Sequence, residues 1–372
     1  MAAASASAGP SHSASAAAPS RSASGDATLR QVLRRLTTDD GAPGALVRVA
    51  DRNGSTVLTS GVANLSTGTP VARDSRWRIG SATKTYVATV VLQLVAEHRV
   101  ELDAPVERYL PGVVRGNGND GHHITVRELL QHTSGLPDIL TYLPPQDILA
   151  HRYDHHDVTD LVNIALAHPP LFAPGTSWSY SNTNYLLAGM LIAKVTGHPY
   201  GEEIRRRILK PLGLHATYVP GDRTEIPGPH PLGYVRPGEN ATPIEVTELN
   251  PSVAGSSGEM ISSASDVSRF FNALVGGRLL HPAELRAMMT TRPTGGSAGR
   301  AYGLGLESRQ LPCGGVYWGH GGDMLGFETA TGATTDGRQA TVMVNLDPGG
   351  SDAQDDDIQT ALRTALCTPN AR

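Results

Sequence analysis

The apolar patterning at the two ends of the chain is the feature that most limits its fold. Near the start, "TLRQVLRRL" carries Leu29, Val32, Leu33 and Leu36 at helical spacing. Two strands follow, "GALVRVAD" and "STVLTSGVA", joined by a turn at Asp51–Gly54. The far end mirrors this arrangement. "AYGLGLES", "GVYWGH", "GFETATGA" and "QATVMVNL" read as four strands with Gly- or Asp-rich turns. A terminal helix from about Ser351 then carries Ile358, Leu362 and Leu366. Neither end can bury its own apolar faces, so the expected closure is α+β: one antiparallel sheet flanked by the N- and C-terminal helices.

The middle reads as mostly helical, with helices at Thr83–His98, Val126–Gln131, Asn184–Thr196, Gly201–Ile208 and Ser265–Val275. Long loops rich in Pro, Gly and His separate them, notably Pro137–His156 and Gly221–Gly258; loops of this length in a compact domain tend to be functional or disordered. The expected organisation is a disordered Ala/Ser-rich tail over 1–25, an α+β lobe from 26–80 and 294–372, and a helical lobe from 81–293. The active site is expected between the lobes. The tail has no Leu, Ile, Val or Phe before Leu29, so burial cannot offset its ordering entropy.

A net charge of −4 with scattered basic residues gives no basic stripe for nucleic acid. No apolar run reaches the roughly 18 residues needed to span a bilayer. The tail lacks the charged and apolar regions of a secretory signal, leaving a cytosolic protein or a sequence beginning near a processed end. The cysteines favour the second, a secreted protein. There are two, Cys313 and Cys367, and a low even count suits one disulfide. Such bonds persist in oxidising compartments.

The chemistry is suggested by lysine usage. Only three of the 31 Lys and Arg residues are lysines, and one of them, Lys84, lies inside the apolar helix "TKTYVATVVLQLVAE". An amine can lose its proton, whereas a guanidinium cannot. In "GSATK", Ser81 and Lys84 stand one helical turn apart. A serine hydroxyl becomes nucleophilic when a neighbouring base takes its proton. A lysine serves as that base once burial brings its pKa near neutrality. Ser81 would also open a helix, where unpaired N–H groups favour developing negative charge. A second motif, "SYSNTNY", presents Tyr180 and Asn182; a third, "YWGHGGDMLGF", presents His320, Gly321, Gly322 and Asp323. Paired glycines allow close backbone approach, and the N–H of Asp323 would join that of Ser81 as an oxyanion hole. Read singly, each motif is equally an N-capping serine, an aromatic packing residue with a helix cap, or a glycine-rich hairpin.

Taken together, in this order and spacing, the three motifs resemble the penicillin-recognising serine hydrolases, whose signatures are Ser-x-x-Lys, Tyr-x-Asn and Lys-Thr-Gly or His-x-Gly. The flanks "LDAPVERYLPG", "ITVRELLQHTSGL" and "FAPGTSWSYSNTNY" are similar too. The closest likeness is to soluble D-alanyl-D-alanine carboxypeptidase/transpeptidases, over about 26 to 368. The resemblance implies Ser81 as nucleophile, Lys84 as its base, Tyr180 as proton relay, Asn182 holding the acyl amide and His320 lining the opposite wall. It implies no cofactor; the partners are an acyl donor, small molecule or peptide, and water or an amine as acceptor.

Two threonines of the carboxypeptidase pattern are here Gly321 and Asp323, and the position of its carboxylate-holding arginine aligns with Glu307. Acidic groups there disfavour a free D-Ala carboxylate and fit an ester or amide donor. The alternatives are a true DD-carboxypeptidase, a β-lactamase and a non-catalytic β-lactam sensor. His122, His123, His151, His155, His156 and Asp157 have partial metal-ligand spacing but fall among loops, where solvated histidines are expected, so no metal site is assigned.

Overall fold

The computed structural model describes residues 23–238, 241–296, 299–349 and 352–368. Most of the tail read as disordered, residues 1–22, lies outside these; Ala23–Gly25 already belong to the first helix. In chain order the main elements are α1 (Ala23–Thr38), β1 (Gly44–Asp51), β2 (Gly54–Asn64), α2 (Thr83–Ala96), α3 (Val126–Gln131), α4 (Val158–Leu166), α5 (Asn182–Thr196) and α6 (Ala264–Val275). They are followed by β3 (Arg300–Tyr302), β4 (Glu307–Gln310), β5 (Val316–Met324), β6 (Phe327–Ala333), β7 (Gln339–Val344) and α7 (Asp352–Cys367).

The two ends of the chain close on one another as the patterning requires. β1 pairs with β7, Ala45 opposite Val344, and also with β2, to form one antiparallel sheet in the order β3-β4-β5-β6-β7-β1-β2. Two-residue strands at Arg292–Pro293 and Thr69–Pro70 extend its edges. The β1–β2 turn is held by the Asp51 side chain, which accepts from the Asn53 N–H at 2.7 Å. On one face, Leu29, Val32, Leu33 and Leu36 of α1 meet Ile358, Leu362 and Leu366 of α7 over Val47, Val49, Val342 and Val344. Arg35 ties the two helices with a bidentate pair to Asp357, 2.7 and 2.6 Å. On the other face, Leu46 and Met343 share a core with Phe270 and Phe271 of α6. Burial on both faces explains why β1 and β7 read as nearly continuous apolar runs.

"AYGLGLES", read as one strand, is two. Gly303 and Gly305 break it because the chain there must press against its neighbours. A Cβ on Gly303 would lie 2.0 Å from the Met288 carbonyl, and Gly305, at φ +71°, would place one 2.5 Å from Ala88 of α2. Helix α2 is apolar all round because it is enclosed all round; every residue from Thr83 to Leu92 is buried. The described parts of the two long loops carry local structure. Pro137–His156 contains a 3-10 turn at Ile139–Thr141 and a short helix, and Gly221–Gly258 contains 3-10 turns at Pro251–Val253 and Gly255–Ser257. No helix among the described residues is long and apolar enough to cross a membrane.

Cys313 and Cys367 form the expected disulfide, tying the β4–β5 turn to the end of α7 across 54 residues. Closing a loop of that size stabilises by about 4 kcal/mol in the chain-entropy model. Changing both cysteines to serine is therefore expected to lower the urea midpoint of protein folded under oxidising conditions. An unchanged midpoint would mean that the bond contributes nothing in solution.

Candidate active site

Ser81 lies in a 3-10 turn, Gly80–Ala82, that runs directly into α2. Strand β5 packs against this turn so closely that only glycine is tolerated on either side. A Cβ on Gly322 would sit 2.0 Å from the Ile79 carbonyl and 2.9 Å from the Ser81 nitrogen. One on Gly80, which has φ +49°, would sit 2.6 Å from the Asp323 nitrogen. The two glycines thus bring the backbones of Ser81 and Asp323 side by side. Gly321 is different, for a Cβ there would meet nothing nearer than the Thr329 carbonyl at 3.6 Å.

Lys84, the second residue of α2, is completely buried. Its Nζ lies 2.9 Å from Ser81 Oγ, 2.6 Å from Asn182 Oδ1 and 2.8 Å from the Ser257 carbonyl. Burial lowers its pKa to about 7, against the opposing pull of Asp138 and Asp323. The three contacts suit the uncharged amine. Two are carbonyl oxygens that only accept, so they take its two N–H groups, leaving the lone pair for the hydroxyl of Ser81. After proton transfer the ammonium still finds three oxygens. The site therefore accommodates Lys84 before and after it takes a proton.

The half-buried Tyr180 is hydrogen-bonded to Ser81, and Lys84 Nζ lies 4.8 Å from the centre of its ring. Burial raises the phenol well above its ordinary value, so Tyr180 keeps its proton at neutral pH. His320, on β5, donates from Nδ1 to the Gly321 carbonyl at 2.6 Å, which leaves Nε2 to accept from the Tyr302 hydroxyl at 2.8 Å. Burial lowers its pKa to about 4, so it is neutral. Ser81, Tyr180, His320, Gly321 and Asp323 line one open cleft of about 620 Å³. Lys84 and Asn182 are buried beside Ser81, and Gly322 is wedged against the turn.

Several residues around these were not singled out in the sequence. Asp138 accepts from Asn182 through both the backbone N–H, 3.0 Å, and Nδ2, 3.1 and 3.2 Å. His132, buried at the end of α3, packs its ring 4.3 Å from that of Tyr180, and its Nδ1 accepts from the Ser181 N–H at 3.2 Å and Asn184 Nδ2 at 3.1 Å. Burial and the neighbouring Lys84 hold its pKa well below the usual histidine value. "HTSGLPD" places His132 and Asp138 in one short run, and an acid after Leu-Pro in such a run was the available signal. Ser257 contributes only a carbonyl, which no side-chain pattern announces.

The acid expected at Glu307 is present but offset. Arg300 binds it at 2.6 and 3.1 Å, and Arg309 binds it at 3.2 Å. Burial pushes the Glu307 carboxyl up, but His320 and these two arginines together hold it below its usual range. The remaining acidity of the cleft comes from Asp323, Glu328, Asp355 and Asp356. Asp323, open to the cleft, is raised to about 6 by desolvation and by Asp355. The histidines weighed as metal ligands lie apart. His122 pairs with Asp120, His151 with Asp154 and His155 with Asp222, all exposed. Asp157 caps α4 through the Thr159 N–H, 2.7 Å. Among the described residues no three His, Cys, Asp or Glu side chains gather as a metal site.

The profile of one family, described as Beta-lactamase, matches residues 29–365. The chain belongs to the Beta-lactamase family. It falls within the penicillin-recognising superfamily, the family that the three motifs resemble. Among solved structures of this fold, a D-stereospecific amidohydrolase from Streptomyces sp. is 44% identical, with a TM-score of 0.81 over 88% of this chain and 96% of that one. D-amino acid amidase from Ochrobactrum anthropi SV3 is 27% identical, with a TM-score of 0.77 over 91% of this chain and 99% of that one. Penicillin-binding protein 4 of Amycolatopsis lactamdurans is 32% identical over 240 residues, 63% of this Beta-lactamase-family chain. The chain spans 60% of that protein's length.

Proposed function

We propose that the protein cleaves amides or esters through an acyl-enzyme on Ser81 and passes the acyl group to water or an amine. Lys84 takes the Ser81 proton as Oγ bonds to the carbonyl carbon. The N–H groups of Ser81 and Asp323 receive the oxyanion. The proton then moves from Lys84 through Tyr180 to the leaving nitrogen or oxygen as its bond to the acyl carbon breaks. The acceptor enters along the same proton path and displaces Ser81. His320 forms part of the wall, and Asn182, buried beside Ser81, holds Lys84. The observation that carries this reading is the Lys84 environment, with two carbonyl acceptors that turn the lone pair of a neutral amine to the serine. The disulfide supports an oxidising compartment, and so secretion.

The likeness to a D-stereospecific amidohydrolase and a D-amino acid amidase supports donors derived from D-amino acids, with a neutral or cationic leaving group. The cleft supports the same choice. Its arginines are committed to Glu307, His320 is neutral, and Asp323 faces the leaving group. A carboxylate at about 4 Å from Asp323 would meet repulsion of roughly 1–4 kcal/mol. A D-amino acid amide or ester is thus expected to give a kcat/KM at least about tenfold above that of the same donor ending in free D-Ala. Gly321→Thr combined with Asp323→Thr is sterically open at position 321 and should narrow the gap about tenfold, or 1.4 kcal/mol. A wild-type preference for the free D-Ala-D-Ala terminus would reject this specificity and favour a DD-carboxypeptidase. A stable acyl-enzyme with benzylpenicillin and no turnover of any ester or amide would favour a sensor.

A further inference from the structure

Among the described residues Asp138 is the one acid that grips a side chain in direct contact with Lys84, and neither the acyl transfer outlined above nor the three motifs give it a task. Its carboxylate only accepts, so it fixes which end of the Asn182 amide faces which neighbour. Nδ2 must point to Asp138, 3.1 and 3.2 Å from its two oxygens, and Oδ1 must therefore point to Lys84 Nζ at 2.6 Å. The backbone N–H of Asn182, held at 3.0 Å by the same carboxylate, locks the start of α5 in register with the loop. Asp138 is in turn anchored by the adjacent 3-10 turn, accepting from the Leu140 N–H at 3.3 Å.

We infer that Asp138 is a positioning residue for the reaction, which acts through Asn182 to keep the lone pair of Lys84 directed at Ser81. This rests on the proposed role of Lys84 as base. The alternative orientation of Asn182 shows why the constraint matters. A flipped amide would present N–H groups to Lys84, and the neutral amine would accept one of them with the lone pair that is needed for the Ser81 proton. The charge of Asp138 has a second effect, since it favours the ammonium form. The other groups facing Lys84 are Asp323 of β5, the protonated Tyr180 and Tyr185, and the neutral His132 and His320. Asp138 and Asp323 are thus the acids whose removal lowers the pKa of Lys84.

The test is the rate of Ser81 acylation by p-nitrophenyl acetate, read as the burst of nitrophenol against pH. It uses wild type, Asp138→Asn, Asn182→Ala and the double variant, each checked for a wild-type melting temperature and circular dichroism. Asp138→Asn keeps the volume but loses the one-way constraint. It is expected to slow acylation at least tenfold on the pH plateau and to move the acid limb to lower pH. In the Asn182→Ala background the same change should alter the plateau rate less than twofold, because its route is already gone. An unmoved limb with an unchanged plateau, or losses that multiply in the double variant, would overturn the positioning role. If wild type shows no burst on Ser81, the functional reading fails instead, so the two failures are distinguishable.

Discussion

Ser81→Ala is expected to lower kcat/KM for ester and amide donors by about 10³-fold or more and to abolish covalent labelling, with the fold intact. The change removes one half-buried hydroxyl. Lys84 in its neutral form keeps both of its N–H partners, Asn182 Oδ1 and the Ser257 carbonyl, and the Tyr180 hydroxyl, which loses Ser81, lines the open cleft where water can replace it. The expected stability change is therefore within about 1 kcal/mol. Circular dichroism and a urea titration check the fold, and intact-mass measurement after donor addition checks the chemistry. Acyl mass gained by the alanine variant would place the nucleophile elsewhere.

Lys84→Arg is expected to be as damaging as Lys84→Met, each costing about 10³-fold in kcat/KM. Methionine fills the space without charge. Arginine keeps the charge, cannot act as a base, and must enter a site that is wholly buried. Thermal melting should show Lys84→Arg as the less stable of the two. An active Lys84→Arg enzyme would leave Tyr180 as the base, against the raised pKa of its phenol. The sign of the pH effect on stability follows from the same burial. The folded-state pKa of about 7 lies below the ordinary value of 10.5, so between them the unfolded chain binds more protons. Stability contributed by this residue should therefore rise as pH increases from about 7 towards 10.5.

The regular parts of the fold were legible because their apolar spacing records what covers them. α1 and α7 show one buried stripe, and β1 and β7 show continuous runs because helices cover both faces. The failure at "AYGLGLES" has a definite cause. Its glycines alternate with apolar residues as in a strand, but they are there to let backbone and Cβ atoms approach α2 and the Met288 carbonyl. The site divided in the same way. Ser81, Lys84, Tyr180, Asn182 and His320 stand in short motifs whose residue types carry chemistry, and the fold gathers them in and beside one cleft. What surrounds them was hidden because it depends on pairing across the fold. Arg300 and Arg309 face each other across β3 and β4, and Glu307 lies opposite Tyr302, a register that no local pattern reveals. Glu307 alone read as a negative wall; with its two arginines it does not.

The central claim is that an uncharged Lys84 takes the proton of Ser81. The pre-steady-state rate of wild-type acylation by a D-amino acid ester, with the label mapped by peptide mass to Ser81, tests it most directly. With Lys84 as base, the rate should rise tenfold per pH unit at low pH and level off with an apparent pKa of about 7. A rate that is flat from pH 5 to 9, or one that keeps rising towards pH 10, would contradict it.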